Sequence, residues 1–512
     1  MERNVEKQMQ QLLNFEKKIE KFVNHLFDSY VYKKIKDRKV IHEAVHGSNI
    51  FYKHEIALID SPLLQRLRGI CQTGLTYLTY PTSIHTRFDH TLGVAIVVSH
   101  YIEAINDNLD DDQKKDLYIE KNPYQGDYAN LRIAALLHDC GHSFYSHTSE
   151  KLYENHAIIE ELKKDEKFAG CDPHEILSHY IVKSKPFKNW FYRYITDKVD
   201  LDIIADLIVG YHKNPEKYYL AEILNGPIDA DKLDYIKRDG FFSGLKLTVD
   251  TERLFATIKI RKTKNDPKNH IVLKSFIPIE QLVSSKRILY STVYNHQKVR
   301  TCEAMINSVM EFIKSKKLIK FPLDHPVDYL YYSDYDFISL LKDLNQPFVK
   351  DILSGIINRN LYMRAFSVCC STIEEWSTSV PYEIVELSQS EYYRKKLRQD
   401  IWRIIPSQIK TKYSLSEYNI QISFPELPSP EKDETLNGYV IDKAGGNLVV
   451  LSEFFPVNEW LSGYINHKYK GYIFCPTFPE VREEVFKAAK EIFIKQKGIN
   501  IIDKYCRNDI NL

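Results

Sequence analysis

The sequence predicts a mainly α-helical protein, with a small β-hairpin inserted in a helical core and an α+β lobe at the C-terminal end. Three observations predict this class. Apolar residues recur at helical spacing from the start of the chain. In the central region, two short strand-like runs flank a polar turn, which is the pattern of a β-hairpin. Further strand-like runs are confined to the last part of the chain, where a final helix follows them. With 512 residues and 44% hydrophobic content, roughly two to three domains are expected.

Residues 1–38 form the first predicted element, an N-terminal amphipathic helix. No Gly or Pro interrupts it, and its apolar residues fall near a 3.5-residue spacing: Val5, Met9, Leu12, Ile19, Val23 and Leu26. The pattern fits either a seam between subunits or a helix that lies on its own domain.

Residues 39–330 form the second predicted domain, which is rich in helix and carries every motif with metal-binding chemistry. Within it, residues 256–262 and 270–274 flank a polar turn at residues 265–268, which predicts the inserted hairpin. The hairpin includes the basic run KIRKTKNDPKNH, which is typical of a solvated hairpin. Contact with nucleotide phosphates at an interface is the alternative.

Residues 331–512 form the third predicted domain. Mixed helix and loop lead into a Pro-rich, acidic connector, FPELPSPEKDETLNG. Strand-like runs follow at residues 439–441 and 448–451, and a last helix is predicted from residue 479 to about 496. We expect a structural or oligomerising lobe, and a separate partner-binding role is the alternative.

Charge and cysteine usage exclude several classes of protein. Lys and Arg number 70 against 69 Asp and Glu, so a net charge of +1 gives no global field for nucleic acid, which is not indicated as a partner. The eight cysteines contain no CxxC pair, which excludes the common zinc-finger spacings and a disulfide framework. The N-terminus lacks an apolar signal core, and the apolar runs are too short to span a bilayer. We therefore expect a cytoplasmic protein without membrane contact.

Two histidines and two aspartates have the chemistry of a divalent metal site. They lie in the stretches IHTRFDH, ALLHDCGHSFYSH and IDADKLDYIKRD, at His90, His138, Asp139 and Asp231. Neighbours on a helix point about 100° apart, so the adjacent His-Asp pair needs ligands from other segments. Imidazole and carboxylate ligands without a thiolate suit Mn, Fe, Zn or Mg and argue against a structural zinc site. A cation there favours hydrolysis, because it polarises a phosphoryl group and lowers the pKa of bound water.

The alternative is that these side chains are unrelated core or surface groups. The apolar context AALLHD disfavours it, because burying an unpaired His-Asp pair is costly.

Seven ordered motifs together are specific for one family. They are HG at residues 46–47, LIDSPLLQRLRGICQTG, PTSIHTRFDHTLGV, LLHDCGHSFYSHTSE, PHE, DADKLDYIKRD and VYNHQKV, and they run from Glu43 to Arg300. The sequence resembles the HD-domain phosphohydrolases, in particular the deoxynucleoside triphosphate triphosphohydrolases. The resemblance covers about half of the chain and implies a helical HD-domain metallohydrolase core.

The resemblance assigns the metal ligands to the four residues above. It places four further residues around the scissile phosphate: His142, His147, Glu150 and His174. Independent chemistry agrees, since the leaving oxygen needs a proton donor and imidazole titrates near neutral pH. Glu150 follows His147 by three residues, so one helical turn would let it orient that imidazole. For His147 alone, a helix-capping role is the alternative.

The resemblance also implies substrate contacts. Arg87, Lys232 and Tyr235 match residues that grip the triphosphate, and Gln72 and Asp239 match residues that hydrogen-bond the 3′-hydroxyl. Tyr294 and Asn295 match residues that pack on the sugar, where a Tyr ring excludes a 2′-hydroxyl. For Lys232, a surface salt bridge is the alternative.

One position departs from the family pattern. Lys286 stands where the family has an Arg that contacts the γ-phosphate, and Arg287 follows it. Because an ammonium does not replace a bidentate guanidinium, the length of the phosphate chain stays open.

A second nucleotide site is implied upstream. Asp60, Gln65 and Arg68 match residues that bind a guanine-type activator between subunits, which would imply a homo-oligomer, either a dimer or a tetramer. The alternative is ordinary helix-start chemistry, with Asp60 as the N-cap and Pro62 just inside the helix.

The leading expectation is metal-dependent hydrolysis of deoxynucleoside triphosphates to deoxynucleoside and inorganic triphosphate, with nucleotide activation. One alternative is an HD phosphatase or phosphodiesterase that acts on a nucleoside monophosphate, a cyclic nucleotide or a nucleic-acid end. Another is a non-catalytic nucleotide sensor, which the proton-transfer residues disfavour because a sensor does not need them.

Overall fold

A computed structural model of the chain describes residues 2–32, 35, 37–263, 266–318, 323–374, 376, 380–427, 437–441, 448–454, 463 and 468–502. The chain forms two compact units. The first comprises Met1–Leu289, Pro322–Phe337 and Glu434–Phe454, and the second comprises Tyr290–Phe321, Ile338–Asp433 and Phe455–Leu512. The predicted domain limits at residues 38 and 330 remain predictions.

Helices dominate the chain up to residue 289. In order, the elements are α1 (Glu2–Phe27), β1 (Arg38–Glu43), β2 (Gly47–Tyr52), α2 (Lys53–Ile59), α3 (Pro62–Gln65), α4 (Arg87–Asn108), α5 (Gln113–Leu117), α6 (Gly126–Leu137), α7 (His147–Glu150), α8 (Ala157–Leu162), α9 (Pro173–Lys183), α10 (Lys185–Tyr194), α11 (Leu201–Ile208), α12 (Tyr218–Leu224), α13 (Ala230–Ser243), α14 (Thr251–Thr257), β3 (Ile258–Lys262), β4 (Asn269–Leu273) and α15 (Ile277–Leu289).

Helices and short strands alternate in the remainder. The elements are α16 (Gln297–Lys316), α17 (Asp334–Asp343), α18 (Pro347–Ile357), β5 (Met363–Val368), α19 (Tyr382–Gln389), α20 (Glu391–Ile404), α21 (Ser407–Lys412), β6 (Gln421–Ser423), β7 (Tyr439–Ile441), β8 (Leu448–Val450), α22 (Leu451–Phe454), β9 (Gly471–Cys475) and α23 (Pro479–Lys495). The predicted mainly α class with an α+β lobe is confirmed.

The N-terminal helix α1 lies on its own unit. Phe15, Ile19 and Val23 are buried, whereas Met9 of the predicted stripe is exposed. Phe15 meets Tyr180 of α9 edge-on at 4.9 Å between ring centroids. Phe27 packs on Trp190 of α10 at 4.4 Å. The helix ends at Phe27, earlier than the predicted limit at residue 38, and Arg38 already begins β1.

The core of the first unit surrounds α4 and α6. Both helices are buried along most of their length, as their apolar sequences require. Helix α13 packs against α4 and α11 packs against α6, while α9 packs on α11. Thr86 begins α4 with a reciprocal capping box, in which Asp89 accepts from the Thr86 backbone N–H. This cap fixes the first turn of α4, which carries Arg87 and His90.

The strands of the first unit form two small sheets. Strands β1 and β2 pair antiparallel, with Glu43 opposite Gly47. The predicted hairpin is confirmed as β3 and β4, with Ile258 opposite Leu273; residues 256 and 257 belong to α14 instead. Strand β7 adds parallel to β4, and β8 pairs antiparallel with β7. Both strands were predicted from their strand-like runs, but Leu451 begins α22 and does not end the second strand.

The second unit has its own core. Strands β5 and β6 flank β9 in an antiparallel sheet, and α23 packs against β5. Phe366 of β5 meets Phe493 of α23 at 5.3 Å between ring centroids, and both are buried. The predicted last helix is confirmed with an end at Lys495. None of the helices built from the described residues is both long and apolar enough to cross a membrane.

Candidate metal centre and phosphate site

The four predicted metal ligands converge from three segments. His90 lies in the first turn of α4, His138 and Asp139 follow α6, and Asp231 lies at the start of α13. The Nε2 atom of His90 is 2.8 Å from Asp231 Oδ1 and 3.8 Å from Asp139 Oδ2. The Nε2 atom of His138 is 3.4 Å from Asp139 Oδ1 and 3.8 Å from Asp231 Oδ1. The adjacent His-Asp pair therefore meets further candidate ligands from α4 and α13.

Both imidazole rings are held with Nε2 facing the carboxylates. His90 donates from Nδ1 to Asp234 Oδ2 at 2.7 Å, and His138 donates from Nδ1 to the Ala135 carbonyl at 2.7 Å. Within the described part of the chain, both Nε2 atoms are buried without an aligned hydrogen bond. Two buried imidazole Nε2 atoms beside two carboxylates are a ligand set that fits a divalent cation, which these four side chains would hold.

Asp234 anchors the His90 ring in a larger buried network. Its carboxylate accepts from His46 Nε2 at 2.6 Å and from Arg238 Nε at 2.8 Å. Arg238 in turn donates from Nη1 to Glu43 at 2.5 Å. Although burial raises the pKa of a carboxyl group, Arg238 and the two imidazoles hold the pKa of Asp234 well below its usual range. Asp234 therefore stays ionised and fixes the orientation of the His90 ring.

A glycine makes room for this network. A Cβ atom on Gly93, within α4, would lie 2.0 Å from Asp234 Oδ1 and 2.3 Å from Arg238 Nη2. Glycine is unfavourable inside a helix, so its presence here is explained by the close approach of α13.

The charges of the centre favour cation binding. Burial raises the pKa of Asp139, but Arg87, His138 and His142 hold it well below the usual range. Burial lowers the pKa of His138, which keeps that ring neutral. For His90, burial also lowers the pKa, but Asp231 and Asp234 outweigh it and raise the pKa to about 10. Binding of a cation through His90 Nε2 would therefore release a proton from that ring.

The four residues predicted around the scissile phosphate form a second cluster. Glu150 joins two of them, because Oε2 accepts from His147 Nδ1 at 2.6 Å and Oε1 accepts from His174 Nδ1 at 2.9 Å. His142 stacks on His174 with 3.8 Å between centroids. The His147 side chain is 55% exposed, whereas His142, Glu150 and His174 are buried, so His147 is the member of the set open to solvent.

Asp139 connects the two clusters. Its Oδ1 atom lies 3.3 Å from His142 Nε2 and 3.8 Å from His174 Nε2. The turn that carries Asp139 is itself braced, because Ser178 of α9 accepts from the Gly141 N–H and donates to the His138 carbonyl. Gly141 permits this contact, since a Cβ there would lie 2.1 Å from the His174 carbonyl.

Arg87 reaches the metal centre. It donates to Asp139 Oδ2 at 2.9 Å, to Ser146 Oγ at 2.9 Å and to the Gln72 carbonyl at 3.4 Å. Lys232 Nζ lies 2.7 Å from Asp229 Oδ2, and the two side chains form a buried ion pair. The alternative of a surface salt bridge was therefore wrong about its exposure. Tyr235 lies half-buried on α13.

Gln72 and Asp239, the predicted hydroxyl-binding residues, both contact the same histidine. The Gln72 N–H donates to the His85 carbonyl at 3.0 Å, and His85 Nε2 donates to Asp239 Oδ1 at 2.7 Å. Gln72 Oε1 is buried without a hydrogen-bond partner among the described residues. Lys286 is half-buried on α15. Tyr294 and Asn295 lie in the second unit, and their contact with the sugar stays a prediction.

The predicted activator residues lie around α3. Asp60 follows α2 as its C-cap, and Ser61 takes the N-cap position with Pro62 first in α3, so the interpretation of Asp60 as an N-cap was wrong. Asp60 lies 3.4 Å from Lys39. Gln65 accepts from Arg68, whose guanidinium covers the Phe88 ring at 3.6 Å.

Sequence reasoning missed several supporting residues. His46, Asp234 and Arg238 lie inside quoted motifs, and the four-residue spacing of Asp234 and Arg238 was a usable signal for an ion pair on one helix face. Glu43 and His85 carried no such local signal.

Family comparisons agree with this geometry. Residues 87–239 match the HD domain model, and residues 249–494 match the model of an HD-associated region. The chain contains an HD domain and an HD-associated region. The HD domain match contains all four candidate metal ligands and the His142–His174 cluster.

Three curated relatives are similar over about two thirds of this chain. An uncharacterised protein of Methanocaldococcus jannaschii is 30% identical over 66% of this chain and 62% of its own length. A deoxynucleoside triphosphate triphosphohydrolase SAMHD1 homolog of Dictyostelium discoideum is 26% identical over 68% of this chain and 64% of its own. Human deoxynucleoside triphosphate triphosphohydrolase SAMHD1 is 25% identical over 63% of this chain and 54% of its own length. The chain thus spans about three fifths of the length of these relatives.

Solved structures share the fold. A phosphohydrolase of Bacteroides thetaiotaomicron superposes with a TM-score of 0.61 at 21% identity, covering 86% of this chain and all of that one. A hypothetical protein of Aquifex aeolicus superposes with a TM-score of 0.60 at 20% identity, and the match covers 88% of this chain.

Proposed function

We propose that this chain is a metal-dependent phosphohydrolase that cleaves deoxynucleoside triphosphates at the α-phosphorus, releasing deoxynucleoside and inorganic triphosphate. One observation carries the proposal. Asp139 lies beside two sets of buried histidines at once. Its carboxylate oxygens lie within 3.8 Å of Nε2 of His90 and His138, and also within 3.8 Å of Nε2 of His142 and His174. A phosphoryl group beside Asp139 would meet a cation-binding set and a proton-transfer set together.

The metal-type residues supply the first half of this chemistry. A cation held by His90, His138, Asp139 and Asp231 would polarise a phosphoryl oxygen and lower the pKa of bound water. Arg87 adds a fixed positive charge within the same site, and Ser146 together with the Gln72 carbonyl sets its orientation. A guanidinium suits phosphate because it donates two parallel hydrogen bonds.

Glu150, His147 and His174 supply the second half. Glu150 keeps its charge, since the pKa-raising effect of burial is outweighed by the two imidazoles. Burial lowers the pKa of His174, but Glu150 outweighs it and raises that pKa to about 10. His174 therefore offers positive charge near the phosphate, whereas the half-exposed His147 can give a proton to the leaving 5′-oxygen and regain it from solvent.

The choice of a deoxynucleotide rests on the family resemblance and on the relatives whose names include triphosphohydrolase. Gln72 and Asp239, joined through His85, present polar atoms that suit a sugar hydroxyl. A nucleotide activator at Asp60, Gln65 and Arg68, a homo-oligomer and a cytoplasmic location belong to the same proposal.

Product analysis tests the proposal. Purified protein is incubated with each dNTP, NTP and dNMP in the presence of Mn²⁺, Mg²⁺ or Fe²⁺, with and without GTP. Inorganic triphosphate and deoxynucleoside are expected from dNTPs. Their absence under every condition would contradict the proposal.

A second candidate is a phosphatase or phosphodiesterase that acts on a shorter phosphate. Lys286 favours it, because an ammonium grips a γ-phosphate less firmly than the Arg found in related enzymes. Turnover of a dNMP in the same assay, or of a cyclic nucleotide added as a further substrate, without inorganic triphosphate from dNTPs, would support this alternative.

A further inference from the structure

A segment far along the chain lies beneath the loop that carries His147. Residues 323–337 comprise a 3₁₀ turn, Pro326–Tyr331, and the start of α17, and they lie beyond the HD domain match. Phe337 stacks on Phe144 with ring centroids 4.0 Å apart and an interplanar angle of 6°. Tyr329 stacks on Phe144 as well, at 5.9 Å. Because Phe144 and Phe337 are fully buried, this contact gives the loop a fixed base.

Asp334 ties two backbone segments of the site together. Its Oδ1 atom accepts from the Tyr145 N–H at 2.6 Å, and its Oδ2 atom accepts from the Cys71 N–H at 3.0 Å. Each oxygen therefore serves a different segment. Burial raises the pKa of Asp334 to about 6, which leaves the carboxylate ionised at neutral pH and its hydrogen bonds charge-assisted.

The backbone that Asp334 holds is strained. Tyr145 has φ 53° and Ser146 has φ 52°, in the left-handed region that residues with side chains rarely adopt. Such residues persist only where surrounding contacts over-determine them. Asp334 supplies one of these contacts, and Ser146 Oγ supplies another by donating to the Cys71 carbonyl at 2.7 Å.

The strained pair sets two functional side chains. His147 follows it directly and begins α7, so its direction depends on the Tyr145–Ser146 backbone. Arg87 donates from Nε to Ser146 Oγ, so the position of its guanidinium also depends on the Tyr145–Ser146 backbone. Arg87 also has Asp139 and the Gln72 carbonyl as partners, whereas His147 depends on its own short helix and on Glu150.

We propose that Asp334 is a positioning residue for the His147–Glu150 pair: its carboxylate holds the strained Tyr145–Ser146 backbone against the Cys71 segment. The role for the pair in turnover rests on the proposed phosphohydrolase function. The hold on the loop stands on its own, and the two are tested separately.

The loop itself is tested by hydrogen exchange of the full-length protein. Asp334→Asn keeps the size of the side chain but turns an NH₂ group toward one of the two backbone N–H donors. Peptides that contain Cys71 and Tyr145 should exchange roughly tenfold faster or more, because a charge-assisted hydrogen bond is lost. Peptides from α6 should be unchanged. Asp336→Asn is the matched control, since Asp336 lies on the same helix and its carboxylate accepts from Ser333.

Turnover tests the positioning role. With the substrate that wild type hydrolyses, Asp334→Asn should lower kcat roughly tenfold or more, because small misplacements of a catalytic group are costly. KM should change less, since Arg87 retains Asp139. Metal content and the unfolding midpoint are measured alongside, and Asp334→Glu, which keeps two acceptor oxygens, should recover part of kcat. Asp336→Asn should retain wild-type kcat.

The outcomes are distinct. Unchanged exchange in Asp334→Asn would overturn the hold on the loop, and faster exchange with unchanged kcat would overturn the positioning role. Equal loss in Asp334→Asn and Asp336→Asn, or a loss that follows metal content, would reduce Asp334 to a structural residue and also overturn it. A wild-type protein that hydrolyses no phosphorylated nucleoside would refute the proposed function, while the exchange result would still decide whether Asp334 holds the loop.

Discussion

The substitution Gly93→Ala should have two opposite effects on stability: it raises helix propensity, but it disturbs the packing beside the metal centre. At an ordinary position inside a helix, replacing Gly by Ala stabilises the protein by about 1 kcal/mol. At position 93 the added Cβ would lie 2.0 Å from Asp234 Oδ1, where an ordinary contact begins at 3.4 Å. The carboxylate would have to move by more than an ångström, out of hydrogen-bond reach of His46 and His90.

The expected loss of stability comes from the ion pair between Asp234 and Arg238. Breaking a buried, hydrogen-bonded ion pair costs about 3–5 kcal/mol, and the propensity gain offsets about 1 kcal/mol, so the free energy of unfolding should fall by about 2–4 kcal/mol. Because Asp234 also orients His90, the affinity for a divalent metal should fall about 10- to 100-fold.

Urea unfolding of chelator-treated protein measures the stability, and titration with Mn²⁺ followed by electron paramagnetic resonance measures the affinity. Gly170→Ala is the matched control, because no atom lies within 4 Å of a Cβ placed there. A Gly93→Ala protein as stable as wild type, with the same affinity for Mn²⁺, would refute the described network.

Three further predictions concern the metal and the histidines. Asp139→Ala should lose metal and turnover together, while His174→Ala should keep its metal and lose turnover about 10²- to 10⁴-fold. Elemental analysis measures the metal content, and metal retained by Asp139→Ala would contradict the ligand assignment. Chelator-treated protein should be inactive and should regain activity on addition of a divalent metal, and full activity after chelation would contradict metal dependence. Burial lowers the pKa of His179 to about 3, so its stabilising contribution is present above the unfolded pKa near 6.5 and is lost as the pH falls. Between pH 7 and pH 5 the free energy of unfolding should fall about 2 kcal/mol more in wild type than in His179→Gln, as measured by urea unfolding, and equal slopes would argue against a buried neutral His179.

Much of the site could be predicted because its candidate ligands and proton-transfer residues lie in short, ordered sequence motifs. His90, His138, Asp139 and Asp231 are side chains of the kinds that bind divalent cations, and their segments fold onto neighbouring helices. Local patterns also located the β3–β4 hairpin, because alternation and turn residues act over a few positions.

Other features depend on contacts that no local pattern carries. Glu43 meets Arg238 across 195 residues, and Asp334 meets Tyr145 across 189 residues, so neither contact had a signal in spacing. The end of α1 at Phe27 was missed because no Gly or Pro follows to stop the helix. The N-cap at Ser61 was available from sequence, since Pro62 favours the first helical position and the cap precedes it.

The position of bond cleavage tests the central claim most directly. Metal-loaded protein is incubated with a dNTP in ¹⁸O-labelled water, and the products are separated and analysed by mass spectrometry. Attack at the α-phosphorus predicts one ¹⁸O atom in inorganic triphosphate and none in the deoxynucleoside. Label in a deoxynucleoside mono- or diphosphate, or in the deoxynucleoside itself, would contradict the account.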